Sequence, residues 1–140
     1  MLLAYRHLPL ESIHPLALGA AQAAECARRQ GRFWEMHDRL LQVGRTIDGG
    51  DFSADARAIG LDAEVFGQCL SAADVMDAIR RDTAEAKKLK ISGTPTFLLG
   101  AVLPDGRVKV THRVFGARAA AEFESLIEGL LNAEPVTKGR

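Results

Sequence analysis

The side chains with nucleophilic or redox reach are few. Two cysteines, Cys26 and Cys69, stand far apart in the 140 residues. They cannot mimic a Cys-x-x-Cys, which sets a nucleophilic and a resolving thiol together at a helix start. Three readings of the pair stand open: a redox pair, a structural disulfide between two helices, or two inert buried thiols. Both cysteines fall on apolar faces, which favours inertness. Proximity of the two sulfurs is favoured, and a bond needs Cα atoms within about 7 Å. A formed bond points to an oxidising compartment. The histidines are His7, His14, His37 and His112. No two have the i, i+4 spacing of a metalloprotease motif. Two cysteines build neither a small disulfide scaffold nor a cysteine zinc site, so no metal and no cofactor is expected. His14 flanks a helix start, and His37 reads as a packing residue beside Phe33, Leu40 and Leu41. The pair Gly49-Gly50 lacks the Gly-Lys-Ser/Thr ending of a phosphate loop and follows no strand.

The bulk chemistry narrows the classes further. Lys plus Arg number 18 and Asp plus Glu number 18. A balanced chain has no bulk attraction for nucleic acid or an anionic membrane. At 47% hydrophobic residues, wholesale disorder is excluded. No apolar run approaches the roughly 18 residues of a membrane span. The start is not a signal peptide either, because Arg6 follows the apolar stretch instead of preceding it.

These residues need elements to hold them. Residues 2–8 read as a short strand ended by Pro9. A strand seldom opens at an initiator methionine, so the expectation is a chain cut or mis-started upstream. Pro15 suits a first helical position, and the alanine-rich stretch after it ends at Gly31. A second helix over 32–43 carries Phe33, Met36, Leu40 and Leu41 at helical spacing and stops at Gly44. There Phe33 and Trp34 are core residues by periodicity. Residues 46–51 are a loop by composition. Ser53 is expected to cap a short helix, and Asp62 another with Val65, Phe66, Cys69 and Leu70 on one face. Ser71, with Asp74 three residues on, is expected to cap a long helix to about Lys90. Its buried stripe would be Val75, Ala78, Ile79, Ala86 and Leu89, and its lysine-rich end a solvated face.

The pattern then changes. Residues 91–95 form a turn, and Thr96-Phe97-Leu98-Leu99 is an apolar strand expected to be buried on both faces. Pro104-Asp105-Gly106 turns the chain into a second strand, where Val108 and Val110 alternate with Lys109 and Thr111, leaving one face wetter. A final helix over 119–131 carries Phe123, Leu126, Ile127 and Leu130. Residues 132–140 read as a flexible tail. The layout is α/β: strand, helical block, hairpin, helix.

Specific strings now gain meaning. Gly93-Thr94-Pro95-Thr96-Phe97 enters a strand after a long Lys-rich helix. Upstream stand Tyr5-Arg6-His7-Leu8-Pro9-Leu10, His14-Pro15, and Gln30-Gly31 with Phe33-Trp34-Glu35-Met36-His37. Together these resemble the DsbA-like branch of the thioredoxin-fold thiol–disulfide oxidoreductases, from about residue 2 to residue 131. The resemblance implies one incomplete thioredoxin-like domain over 1–131. It would hold strand 2–8, a helical insertion over about 15–90, a cis-Pro strand and hairpin over 94–114, and the final helix. It also implies a cis Thr94–Pro95 bond and a loop, Gly93, Thr94 and Pro95, that offers backbone groups to an extended or unfolded polypeptide or a partner protein. An extracytoplasmic, periplasmic location follows from the same likeness.

The family pattern is also broken here. A strand and a helix opening with Cys-x-x-Cys should precede everything seen, and no such motif occurs in these 140 residues. No catalytic residue is therefore assigned, and the chain is expected to be redox-inactive as written. The alternative is a non-catalytic peptide- or partner-binding module, a regulatory domain of the kind fused to membrane antiporters. In the family the missing strand is interior, so its loss leaves two edges unpaired. Each buried unpaired backbone group costs roughly 1–3 kcal/mol. The expected remedies are residues 2–7 sliding into the slot, a second copy pairing through the open edges as a homodimer, or a natural product that starts upstream.

Overall fold

The computed structural model describes residues 1–43 and 50–132. Eight elements follow in order: α1 (Ala17–Arg29), α2 (Phe33–Val43), α3 (Ser53–Ala58), α4 (Ala63–Leu70), α5 (Ala73–Lys88), β1 (Thr96–Val102), β2 (Val108–Phe115) and α6 (Ala120–Asn132). They divide into two compact units, Met1–Ile91 and Ser92–Arg140. This is the mixed α/β class expected.

The first unit is helical and contains every fully buried residue among those described. Helix α1 is alanine-rich because its neighbours come close. Ala23, Cys26 and Ala27 have no exposed surface, and a Cβ at Gly19 would lie 2.8 Å from the Phe52 ring. The helix starts two residues after Pro15, where the His14 carbonyl accepts the Ala17 amide in a tight turn. It ends as expected. Gly31 takes φ +74°, and the Arg32 amide returns to the Ala27 carbonyl at 2.8 Å. Met36, Phe66, Val75 and Ile79 complete the core, the larger ones stabilising by about 1.5–3 kcal/mol each.

The second unit is a two-stranded antiparallel sheet with one helix. Strand β1 pairs with β2 from Thr96 opposite Phe115 to Val102 opposite Val108, with an irregularity between Leu99 and Gly100. A Cβ at Gly100 would sit 2.0 Å from the Lys109 carbonyl oxygen, so this position admits only glycine. Phe97 meets Phe123 of α6 edge to face at 4.6 Å.

Several expectations are corrected. Residues 2–8 join no ladder; they run beside helices, which offer an extended chain no matching row of backbone groups. They therefore do not complete the sheet. Asp62 caps α4, accepting both the Glu64 and Val65 amides at 2.9 Å, but Ser53 and Ser71 are not caps. Ser53 lies inside α3 and gives its amide to Asp51, while Ala72 holds the N-cap of α5 without a side-chain bond. Asp74 is drawn to Arg29 instead. Trp34, Leu41 and Val65 are exposed, because each stands one step off the stripe its helix buries, and Leu89 is exposed because α5 ends at Lys88 and leaves it at the C-cap. Strand β1 is not buried on both faces: Phe97 is 37% exposed, and all of β2 except half-buried Val114 is exposed. One ladder partner and one helix cannot cover more. The Gly44 stop, most of the 46–51 loop and the tail beyond Asn132 lie outside the described residues.

Candidate functional site

The bend ahead of β1 is built by two hydrogen bonds of different range. Thr96 Oγ1 donates to the Gly93 carbonyl at 2.7 Å, closing a four-residue turn. The Gly116 amide, just past β2, donates to the Pro95 carbonyl at 2.8 Å. The hairpin register places Gly116 there, and its φ of +75° suits a residue without a Cβ. The Thr94–Pro95 peptide bond is cis. Thr94 and Pro95 are exposed. Among the described residues neither main-chain group of Thr94 has a hydrogen-bond partner. Among the described residues, strand β1 has β2 on one edge and no ladder partner on the other. The bend thus presents free peptide groups continuous with an open strand edge, which is what an extended chain needs in order to add as a further strand. Thr96 and Gly116 were not singled out from the sequence. The glycine directly after an alternating strand was the available signal for Gly116.

The cysteines lie in the first unit. Cys26 on α1 and Cys69 on α4 are joined in a disulfide with Cα atoms 5.7 Å apart. Both are buried. The bond staples two helices and leaves no free thiol among the described residues.

A second cluster occupies the same unit. Tyr5 packs against Phe33 and His37, each ring centroid 5.2 Å away, and against Trp34 at 6.3 Å. Arg6 pairs with Asp82 at 3.1 Å, and the second Asp82 oxygen accepts the His7 amide at 2.9 Å. Glu25, buried on α1, pairs with Arg28. A cavity of about 770 Å³ opens among these groups, with Arg81 and Glu85 of α5 also on its wall. Burial pushes the His7 imidazole below its ordinary range, against the pull of the Glu25 and Asp82 carboxylates. Burial likewise raises the Tyr5 phenol. His37 is half-buried beside Phe33, as expected, with Asp38 Oδ1 3.0 Å from its Nδ1. Among the described residues no three His, Cys, Asp or Glu side chains come together as a metal site. None of the described helices is long and apolar enough to cross a membrane.

Comparison with known proteins places these observations. Residues 7–128 match the DSBA-like thioredoxin domain. Among curated proteins, the chain is 41% identical over 95 residues to the Na(+)/H(+) antiporter NhaA 3 of Salinispora tropica, covering 68% of this chain and 15% of that protein. It is 43% identical over 97 residues to NhaA 1 of Salinispora arenicola, covering 68% and 15%. It is 38% identical over 101 residues to NhaA 1 of Mycobacterium sp. strain KMS, covering 71% and 16%. The chain thus spans about 15–18% of the length of the curated relatives it matches. No solved structure matches it.

Proposed function

The chain belongs to the DSBA-like thioredoxin domain family, and from that membership we propose that residues 1–131 are the greater part of one thiol–disulfide oxidoreductase domain whose dithiol-bearing βα unit lies outside these 140 residues. The observation that carries this reading is the exposed Thr94–Pro95 bend with its unpartnered peptide groups, leading onto the open edge of β1. An extended or unfolded polypeptide lies along Gly93, Thr94 and Pro95. The incoming strand of the missing unit pairs with β1. Its cysteines, at a helix N-terminus where the dipole and free amides lower a thiol pKa, exchange with the substrate disulfide. By itself the chain neither oxidises nor reduces dithiols, because its one cysteine pair is a buried staple. That staple also favours an extracytoplasmic location, where disulfides persist.

Two assays test this. In a dithiol-dependent insulin reduction assay the 140-residue chain should show no turnover. A rate matching an intact thioredoxin-like enzyme contradicts the reading. Titration with an unfolded peptide should show binding that Pro95→Ala weakens by roughly tenfold, about 1.4 kcal/mol. The absence of affinity for any peptide removes the substrate-binding part. Pairing of the open edges with a second copy is the competing use of β1, and a concentration-dependent mass that peptide fails to reverse would favour it.

A second reading has its own support. The relatives named above are antiporters much longer than this chain. On that reading the chain is a non-catalytic peptide- or partner-binding module of a larger transport protein, with a regulatory role. The adjoining reading frame separates the two. A Cys-x-x-Cys a few dozen codons before Met1 supports the oxidoreductase, and long apolar helices without that motif support the module.

A further inference from the structure

The end of α5 carries a lysine at a position that favours glycine. The Lys90 amide donates to the Lys87 carbonyl at 3.0 Å, and the Ile91 amide returns to the Ala86 carbonyl at 2.9 Å. A closing turn of this kind needs one residue in the left-handed region, which glycine enters without steric cost. Lys90 stands there at φ +54°, the only residue other than glycine with a positive φ among those described. The helix does not require its charge. Lys87 and Lys88 already set cations beside the last carbonyls, where the helix dipole favours them. Nor does a partner hold it: Lys90 is exposed and forms no ion pair among the described residues. A strained backbone position that gives the helix nothing in return points to a use outside the helix.

We propose that Lys90 is a specificity-determining residue, selecting extended polypeptides that carry acidic side chains next to the segment lying on Thr94 and Pro95. The inference rests on the peptide-binding reading above and names the class of polypeptide. Lys90 precedes Thr94 by four residues, about 14 Å at full extension, so the covalent chain itself bounds their separation. The stretch is also of one sign. From Ala86 to Pro104 the sequence has three lysines and no aspartate or glutamate. The acids that flank it are occupied: Glu85 faces Lys88 at 3.8 Å, and Asp105 pairs with Arg107 at 2.7 Å. An acidic chain arriving at Thr94 thus meets cations from this stretch and no carboxylate, whereas a basic chain meets repulsion. Lysine suits the task, because its flexible stem lets a compact charge follow carboxylates at varied positions. One exposed pair of this kind changes affinity only about two- to fivefold, and salt screens it. Discrimination between polypeptides is what such a charge supplies.

The test titrates the 140-residue chain with unfolded peptides of equal length and apolar content, carrying Glu, Gln or Lys at the same positions. At low salt the Glu peptide should bind about two- to fivefold more tightly than the Gln peptide, and the Lys peptide more weakly than either. Salt at about 0.5 M should remove most of the difference. Lys90→Gly relieves the left-handed backbone, so it should raise the thermal midpoint and still bring the Glu-to-Gln affinity ratio toward one. A merely structural role would not join those two effects. Lys90→Gln removes the charge alone and should lower the ratio equally, while Lys90→Arg and Lys87→Gln should keep it. Equal affinity of the wild type for the Glu and Gln peptides overturns the inference and leaves the peptide-binding reading standing. An unchanged ratio in Lys90→Gly and Lys90→Gln also overturns it. So does an equal loss in Lys87→Gln, which would assign the preference to the charge of α5 as a whole. Binding of none of the peptides overturns the inference together with the reading beneath it.

Discussion

At the scale of single residues, the bend ahead of β1 depends on two groups distant from it in sequence or chemistry. Gly116 supplies the amide for the Pro95 carbonyl at a φ of +75°. An alanine there must hold a left-handed conformation that costs roughly 1–2 kcal/mol. Gly116→Ala should therefore lower the thermal midpoint and weaken peptide binding together. If the midpoint drops while affinity is untouched, Gly116 does not shape the binding bend. Thr96 offers a finer test. Thr96→Val removes the hydroxyl that closes onto Gly93 and should cost about 1 kcal/mol, which Thr96→Ser restores. The motif Gly93-Thr94-Pro95 was legible because its residue types are restrictive in themselves. Gly116 was not, since its role depends on the β1–β2 register and on the irregularity at Leu99 and Gly100, which no local pattern encodes.

At the scale of elements, the contrast between caps is instructive. Asp62 and Ser71 both precede helices, yet only Asp62 accepts amides. A capping signal states what a side chain can do. Whether it does so depends on where the backbone turns, and α5 begins one residue later than Ser71 allows. Asp62→Ala should cost about 1 kcal/mol in chemical denaturation, and Ser71→Ala should cost nothing measurable. The disulfide acts on a larger span. Its cysteines are separated by 43 positions, and closing a loop of that length restricts the unfolded chain by about 4 kcal/mol on the chain-entropy account. Replacing Cys26 and Cys69 together by alanine should shift the denaturation midpoint of α1 and α4 down by a matching amount, and reductant should have no effect on that variant. A midpoint equal to the wild type would show that burial of the small core alone fixes these helices. The sequence left this pairing open among three readings. Residue spacing says nothing of Cα separation when two helices and a loop intervene.

At the scale of the whole molecule, burial is unevenly shared. Every fully buried side chain among the described residues lies at or before Ile79, in the unit Met1–Ile91. From Ser92 to Asn132 none is fully buried, and Phe97, Val102, Val108, Val110 and Phe115 are exposed to solvent. A two-stranded sheet is marginal by itself, and the one helix packed on it leaves most of its apolar side chains exposed. Native-state hydrogen exchange should reflect this division. Amides in α1, α4 and α5 should open through the most costly unfolding, while those in β1, β2 and α6 should open at a free energy about 3 kcal/mol lower, roughly a hundredfold or more in rate. If the second unit is an incomplete sheet, a chain extended at its start by a strand and a Cys-x-x-Cys helix should raise protection in β1 and α6 toward that of α1. Protection that is uniform in the 140-residue chain, or unchanged by the extension, would mean that β1 and β2 draw their stability from contacts they already have. The open edge would then be a peptide-binding surface and not the seat of a missing strand.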